Sequence, residues 1–136
     1  MTEDGNRVTV ALRRHFREAG DGVVAAYLFG SHGRGRPRPD SDVDVGLLFR
    51  DEPAAGPAGP AATAEEELER LLARPVEVIA LNTAPVDLVH RVLRDGVLVC
   101  ERDRSARIRF EVAARRAYFD LLPALRLYRR GKSSAA

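Results

Sequence analysis

Two aspartates, Asp42 and Asp44, are the residues best suited to chemistry, because they alternate within an apolar run of strand length. Alternate residues of a strand share a face, so their Cα atoms lie about 6.6 Å apart, at a rise of about 3.3 Å per residue. Two such carboxylates raise each other's pKa unless a cation lies between them. Without histidine or thiol neighbours they favour Mg²⁺, and two such ions can promote a nucleotidyl transfer. Taken alone, the pair is equally typical of an edge strand with a polar outer face.

The loop before this strand favours metal binding. Gly30 ends an apolar run and Ser31 follows at once, so backbone N–H groups and a hydroxyl can hold phosphate oxygens. Arg34, Arg36 and Arg38 add positive charge beside the acidic pair, which phosphate and metal together would explain. An exposed basic turn is the alternative. The loop lacks the Lys-Ser/Thr of a Walker motif and the third glycine of a dinucleotide-binding motif, so neither fold is expected.

The elements that must position these residues alternate along the chain. Apolar periodicity predicts helices over residues 6–19, 63–73, 85–95 and 103–130, and short apolar runs predict strands over residues 23–29, 42–49, 75–81 and 97–100. Thr63 and Glu66 predict a capping box that opens the second helix. This alternation predicts one sheet covered by helices, an α/β (α+β) fold. The first two strands are joined too closely for a helical crossover, so we expect an antiparallel pair and a mixed sheet.

The long C-terminal helix carries two apolar stripes and is expected to bend at Pro123. The first stripe contains Phe110, Ala114, Ala117, Leu121, Leu125 and Tyr128, and the second contains Ile108, Val112, Phe119 and Leu122. A helix that is apolar on two sides needs two covering surfaces, one of which is the domain itself. The other is either a partner or a second copy, unless the bend lets both stripes pack within the domain.

Composition limits the remaining choices. The 136 residues suit one domain, which we place at residues 1–131, with a disordered tail at residues 132–136. No apolar run approaches the roughly 20 residues of a membrane span, the polar N-terminus is no signal peptide, and the lone Cys100 excludes an internal disulfide, so we expect a cytoplasmic protein. Residues 101–136 carry ten Arg/Lys and four Asp/Glu, which indicates an acidic partner, nucleic acid or a solvated helix face.

A family resemblance joins these motifs. The segment Gly30-Ser31-His32-Gly33-Arg34-Gly35, followed by Ser41-Asp42-Val43-Asp44-Val45, resembles the signature of the polymerase-beta-like nucleotidyltransferases. The small size of the chain and residues 76–79 and 92–99 are similar to the minimal nucleotidyltransferases of toxin–antitoxin pairs. The resemblance covers roughly residues 20 to 125 and implies the nucleotidyltransferase fold, a mixed sheet flanked by helices.

The resemblance also implies roles for single residues. Gly30 and Ser31 would hold the β- and γ-phosphates of ATP, and Arg34 would touch phosphate or position the loop. Asp42 and Asp44 would bind two Mg²⁺ ions.

Glu77 is, by position, the third carboxylate, which would complete the metal site and help to deprotonate the attacking hydroxyl. The family usually has aspartate there, and it usually has alanine where this chain has Gly33. No histidine is needed for this chemistry. His15 and His90 are expected to be surface or boundary residues, and His32 either touches a ligand or is ordinary.

The expected function is Mg²⁺-dependent transfer of AMP from ATP to a protein hydroxyl. By resemblance, the acceptor is a tyrosine of a cognate HEPN-domain toxin, and this chain is its antitoxin. Neither membrane association nor direct nucleic-acid binding is expected, and the C-terminal helix is a candidate oligomer contact. Two alternatives remain: nucleotidyl transfer to a small molecule such as an aminoglycoside, and a catalytically weak antitoxin that neutralises its toxin by binding alone.

Overall fold

The predicted strands and helices are all present in the computed structural model, which describes residues 3–20, 22–33 and 42–134. In chain order the elements are α1 (Glu3–Ala19), β1 (Val23–Phe29), α2 (Gly30–Gly33), β2 (Val43–Phe49), α3 (Pro60–Leu72), β3 (Val76–Ala80), α4 (Val86–Asp95), β4 (Val97–Glu101) and α5 (Arg104–Ser134).

The four strands form a single mixed sheet in the order β3-β2-β1-β4. β1 is antiparallel to both β2 and β4, whereas β2 and β3 are parallel. The predicted antiparallel pair and the α/β class are therefore confirmed. The end of β1 and the beginnings of β2, β3 and β4 consequently meet at one edge of the sheet.

Each face of the sheet has its own apolar core. On β2, alternate residues such as Val43, Val45 and Leu47 pack in the core that contains α1 and the helix α3. Leu48 belongs to the other core, with residues of α4 and α5. Because side chains alternate along a strand, Asp44 lies on the α4/α5 face of the sheet.

The predicted capping box is wrong. α3 begins at Pro60, with Gly59 as its N-cap and no capping hydrogen bond from that residue's side chain. Thr63 lies one turn inside the helix, and its Oγ1 donates to the Gly59 carbonyl oxygen at 3.1 Å. Proline suits the first helical position because its φ is already fixed and it has no N–H to satisfy, so the helix starts earlier than the capping pattern indicated.

The C-terminal helix packs by one side only. Phe110 and Ala114 contact the α4/α5 core, but Ile108, Val112 and Phe119 are exposed. The interpretation in which both stripes pack within the domain is therefore wrong. α5 runs to Ser134, past the predicted start of the tail at residue 132, and residues 135 and 136 lie outside the described part. None of the described helices is long and apolar enough to cross a membrane.

Candidate active site

The candidate site lies at the sheet edge where β1 ends and where β2 and β3 begin. Asp44, in β2, is directly opposite Phe29 of β1 on one side and Glu77 of β3 on the other. Asp42 immediately precedes β2 and is exposed, as is Glu77. The structure therefore brings the three predicted carboxylates to one edge, although Asp44 and Glu77 are 33 positions apart in sequence.

Gly30 lies where the Asp44 carboxylate leaves no room for a side chain. It adopts a φ of +65°, which favours glycine, and a Cβ added there would overlap Asp44 Oδ2. Any side chain at residue 30 would thus displace the carboxylate or the turn. The glycine and the aspartate depend on each other sterically, which gives a physical reason for their occurrence together in one motif.

Ser31 and Gly33 lie in the short helix α2 beside Gly30. Ser31 is half-buried. A Cβ on Gly33 would lie 2.7 Å from the Leu28 carbonyl oxygen and 3.3 Å from that of Asp95. Because α2 packs closely against β1 and α4, there is no room for the methyl group of the family's usual alanine, and glycine fits instead. The predicted phosphate contact Arg34 lies outside the described residues.

The electrostatics of the edge are those of crowded carboxylates. Burial, the adjacent Glu77 and the nearby Asp42 raise the pKa of Asp44 from 3.8 to about 6. Ionisation of Asp44 is thus unfavourable where negative charge has already accumulated. A cation between the carboxylates would remove that penalty.

The chemistry of these donors fits Mg²⁺. All three side chains offer carboxylate oxygen, the ligand that hard divalent ions prefer. Within residues 3–20, 22–33 and 42–134, no group of three acidic, histidine or cysteine side chains is already arranged to hold a metal ion. Asp42 and Glu77 are exposed, so their side chains can rotate toward a cation that binds beside Asp44.

His32 faces Asp4 of α1 and does not lie among the three carboxylates. Its side chain is fully buried, and Nε2 lies 3.7 Å from Asp4 Oδ2. Burial and the nearby Arg74 lower the pKa of His32, which keeps the ring neutral near pH 7. The interpretation of His32 as a ligand contact is therefore wrong. The other two histidines are boundary residues: His15 pairs with Glu67 at 3.4 Å, and His90 stacks on a tyrosine of α5.

Sequence reasoning missed the two residues that surround His32. Arg74 Nη1 donates to both carboxylate oxygens of Asp4, at 3.0 and 3.1 Å. These residues are separated by 70 positions and belong to no motif. A pairing of this kind has no local signal and becomes visible only when the elements are packed.

Comparison with protein families gives a match over residues 12–105, to the family described as polymerase beta, nucleotidyltransferase. The matched region includes the glycine–serine turn, the aspartate pair and Glu77. No curated protein matches the sequence significantly.

Solved structures of toxin–antitoxin complexes share the fold. One, a toxin–antitoxin solved with AMP-PNP, has a TM-score of 0.79 at 20% identity and covers 92% of this chain and 98% of its own. A second, from Shewanella oneidensis, is a tri-AMPylated HEPN toxin in complex with an MNT antitoxin, with a TM-score of 0.75, 18% identity and coverage of 95% and 98%. A third, provisionally described as a minimal nucleotidyltransferase, has a TM-score of 0.51, 28% identity and coverage of 68% and 88%.

Proposed function

The chain belongs to the polymerase beta nucleotidyltransferase family, and we propose that it transfers AMP from ATP to a hydroxyl group of a partner protein, with Mg²⁺ as the cofactor. The observation that carries this proposal is the meeting of Asp42, Asp44 and Glu77 at one sheet edge, beside a glycine turn that has no room for a side chain.

The reaction is a substitution at the α-phosphorus of ATP. The acceptor oxygen forms a bond to that phosphorus, the bond from it to the bridging α,β-oxygen breaks, and pyrophosphate leaves. In this proposal Glu77, which is exposed at the edge, accepts the proton of the attacking hydroxyl. Mg²⁺ bound by Asp42, Asp44 and Glu77 would stabilise negative charge on the attacking and leaving oxygens.

The turn at the start of α2 supports the triphosphate in this proposal. Gly30 lets the backbone approach a ligand closely, and the Ser31 hydroxyl supplies a donor beside it. Arg34 follows in sequence and would add a positive charge for phosphate. The acidic edge and this turn adjoin, so metal and phosphate would neutralise each other.

We assign the acceptor to a HEPN-domain toxin, with this chain as its antitoxin. Support comes from the structures with the same fold, which include a complex with AMP-PNP and a complex with an AMPylated HEPN toxin. The acceptor group proposed is a tyrosine hydroxyl, which is nucleophilic once its proton is removed.

We propose that the partner binds the C-terminal half of α5, residues 119–134. α4 and α5 run in the same direction, and His90 stacks on Tyr118 with ring centroids 3.5 Å apart. Asp95 lies five residues after His90, and Pro123 lies five residues after Tyr118. Because both helices rise about 1.5 Å per residue, α5 reaches the level of Asp95, beside the candidate site, near Pro123. It then continues about 16 Å further to its last residue. A protein bound there would lie beside the site.

The chemistry of that segment indicates an acidic partner with an apolar groove. Phe119, Leu127 and Tyr128 are 69%, 65% and 65% exposed. No acidic residue follows Asp120 in the sequence, whereas several arginines do. Exposed apolar groups flanked by one sign of charge are typical of a protein contact surface.

Substitutions in α5 test this surface. Tyr128→Ala and Arg126→Glu should each weaken association with the toxin and leave ATP binding unchanged, because both residues lie beyond the catalytic edge. Val10→Ala, which changes an exposed apolar residue of α1, is the matched control. If both α5 variants retain the toxin as tightly as the wild type, the interface lies elsewhere.

The proposed reaction is tested with ATP labelled at either the α- or the γ-phosphate. The acceptor to test is a HEPN-domain protein, sought first in the reading frame adjacent to that of this chain. Transfer of AMP predicts Mg²⁺-dependent label on the acceptor from α-labelled ATP only, and loss of that label in Asp44→Asn. Asp51→Asn, an exposed aspartate just after β2, should behave like the wild type. An unlabelled acceptor that is nevertheless neutralised in complex would favour the antitoxin that acts by binding alone.

A further inference from the structure

The geometry points to a positioning role for His32: we propose that the partly buried cluster Asp4–His32–Arg74 holds the main chain at Asp42, and through it the proposed metal-binding edge, in place. This inference rests on the proposed function, since it concerns the residues that would bind Mg²⁺.

The cluster lies against the three segments that carry the turn and the two neighbouring strand starts. His32 belongs to α2, two residues after Gly30, and its ring lies near the main chain at Asp42 without a hydrogen bond of ordinary geometry to it. Arg74 precedes Pro75, whose carbonyl oxygen accepts a hydrogen bond from the Val43 N–H at 3.1 Å. Asp4, His32 and Arg74 thus lie on the α1 side of the sheet. They adjoin the turn at the start of α2 and the beginnings of β2 and β3.

Asp4 connects this arrangement to α1. Arg74 Nη1 contacts both of its oxygens, at 3.0 and 3.1 Å, which fixes the carboxylate. His32 Nε2 faces one of those oxygens at 3.7 Å. The ring is thus confined between a fixed ion pair and the main chain that leads into β2.

Hydrogen bonding among the described residues does not account for a histidine here. The residue is 2% exposed, and neither ring nitrogen has a hydrogen-bond partner within the described part of the chain. A buried polar atom without a partner destabilises a fold, and an apolar side chain of similar volume would avoid that cost. Groups placed behind metal ligands commonly orient them, and their loss lowers metal affinity.

The test measures Mg²⁺ affinity calorimetrically, in the presence of a non-hydrolysable ATP analogue, together with the melting temperature. His32→Leu should stay folded and lose about tenfold or more in Mg²⁺ affinity, the range seen when such supporting groups are removed. His32→Gln, whose amide reaches the position of Nε2, should recover part of that affinity. Asp4→Asn should lower it as well, because the carboxylate loses its pairing with Arg74.

His15→Leu is the matched control, since His15 forms another histidine–carboxylate pair, with Glu67 at 3.4 Å, far from the site. Equal Mg²⁺ affinity in the wild type and His32→Leu would overturn the inference, as would equal losses in His32→Leu and His32→Gln. If His32→Leu does not fold, the Mg²⁺ affinities of His32→Gln and Asp4→Asn are compared with that of the control His15→Leu. Unchanged affinity in both His32→Gln and Asp4→Asn would then overturn the inference. Failure of the proposed function would be seen separately: Asp44→Asn would then bind Mg²⁺ as tightly as the wild type.

Discussion

Charged side chains are arranged in opposite ways on the two sides of the turn at Gly30–Gly33. On the α4/α5 side, Asp44 lies among other carboxylates, and its pKa rises to about 6 because the group is partly buried and because Glu77 and Asp42 place like charge beside it. On the α1 side, Asp4 is paired with Arg74 at 3.0 Å and covered by a buried, neutral His32. A closed ion pair needs no further ligand, whereas an open group of carboxylates does. Under the proposed function, the α4/α5 side binds the metal ion and the α1 side supports it.

Gly30→Ala should break this arrangement most severely. A methyl group there overlaps the Asp44 carboxylate, and displacement of a reacting group by about 1 Å can cost 100-fold in rate. We expect a loss of AMP transfer of at least about 100-fold. Gly56→Ala is the matched control, because Gly56 also has a positive φ, of +90°, but has nothing within 4 Å of its added Cβ. Equal activity in the two variants would contradict the steric role assigned to Gly30.

Substitutions of Glu77 examine the carboxylate that departs from the family's aspartate. Glu77→Gln should lower transfer by about 10²- to 10⁴-fold, since an amide can neither accept the proton nor supply the charge. Glu77→Asp should keep substantial activity, because the charge is retained at the same register beside Asp44. Steady-state transfer rates decide between these outcomes. A fully active Glu77→Gln would make Glu77 an ordinary strand residue.

Ser31→Ala should have a smaller effect. Loss of one hydrogen bond to a charged phosphate costs about 1–2 kcal/mol, or roughly tenfold in affinity for a non-hydrolysable ATP analogue. Arg34→Ala should cost at least as much, because it removes a charge. Calorimetric titration measures both. Unchanged affinity in both variants would assign the turn to another purpose.

The mildest effect concerns stability without metal. The pKa of Asp44 is 3.8 when unperturbed and about 6 in the fold, so the native state holds this proton more tightly than the unfolded chain does. The resulting stabilisation is complete below about pH 4 and is lost as pH rises through about 6. In the presence of a chelator, Asp44→Asn should therefore gain melting temperature relative to the wild type as pH increases. If the melting temperatures of Asp44→Asn and the wild type differ by the same amount across this pH range, titration of Asp44 does not affect stability.

Much of the acidic edge could be predicted from sequence, and little of its support could. Alternation along the strand predicted over residues 42–49 puts Asp42 and Asp44 on one face, and the order of the family motifs assigns Glu77 by position. The start of α3 was misplaced because Pro60 determines it rather than Thr63. The cluster beneath the turn depends on tertiary packing between residues 28 and 70 positions apart, for which periodicity and local motifs carry no information.

The most direct test of the account is the effect of Mg²⁺ on melting temperature at neutral pH, compared between the wild type and the variants Asp42→Asn and Asp44→Asn. A ligand that binds only the folded state stabilises it, by about 2.7 kcal/mol at 100 times its dissociation constant. If the two aspartates hold the ion, Mg²⁺ should raise the melting temperature of the wild type more than that of either variant. Equal shifts in all three proteins would show that Mg²⁺ does not bind at this edge.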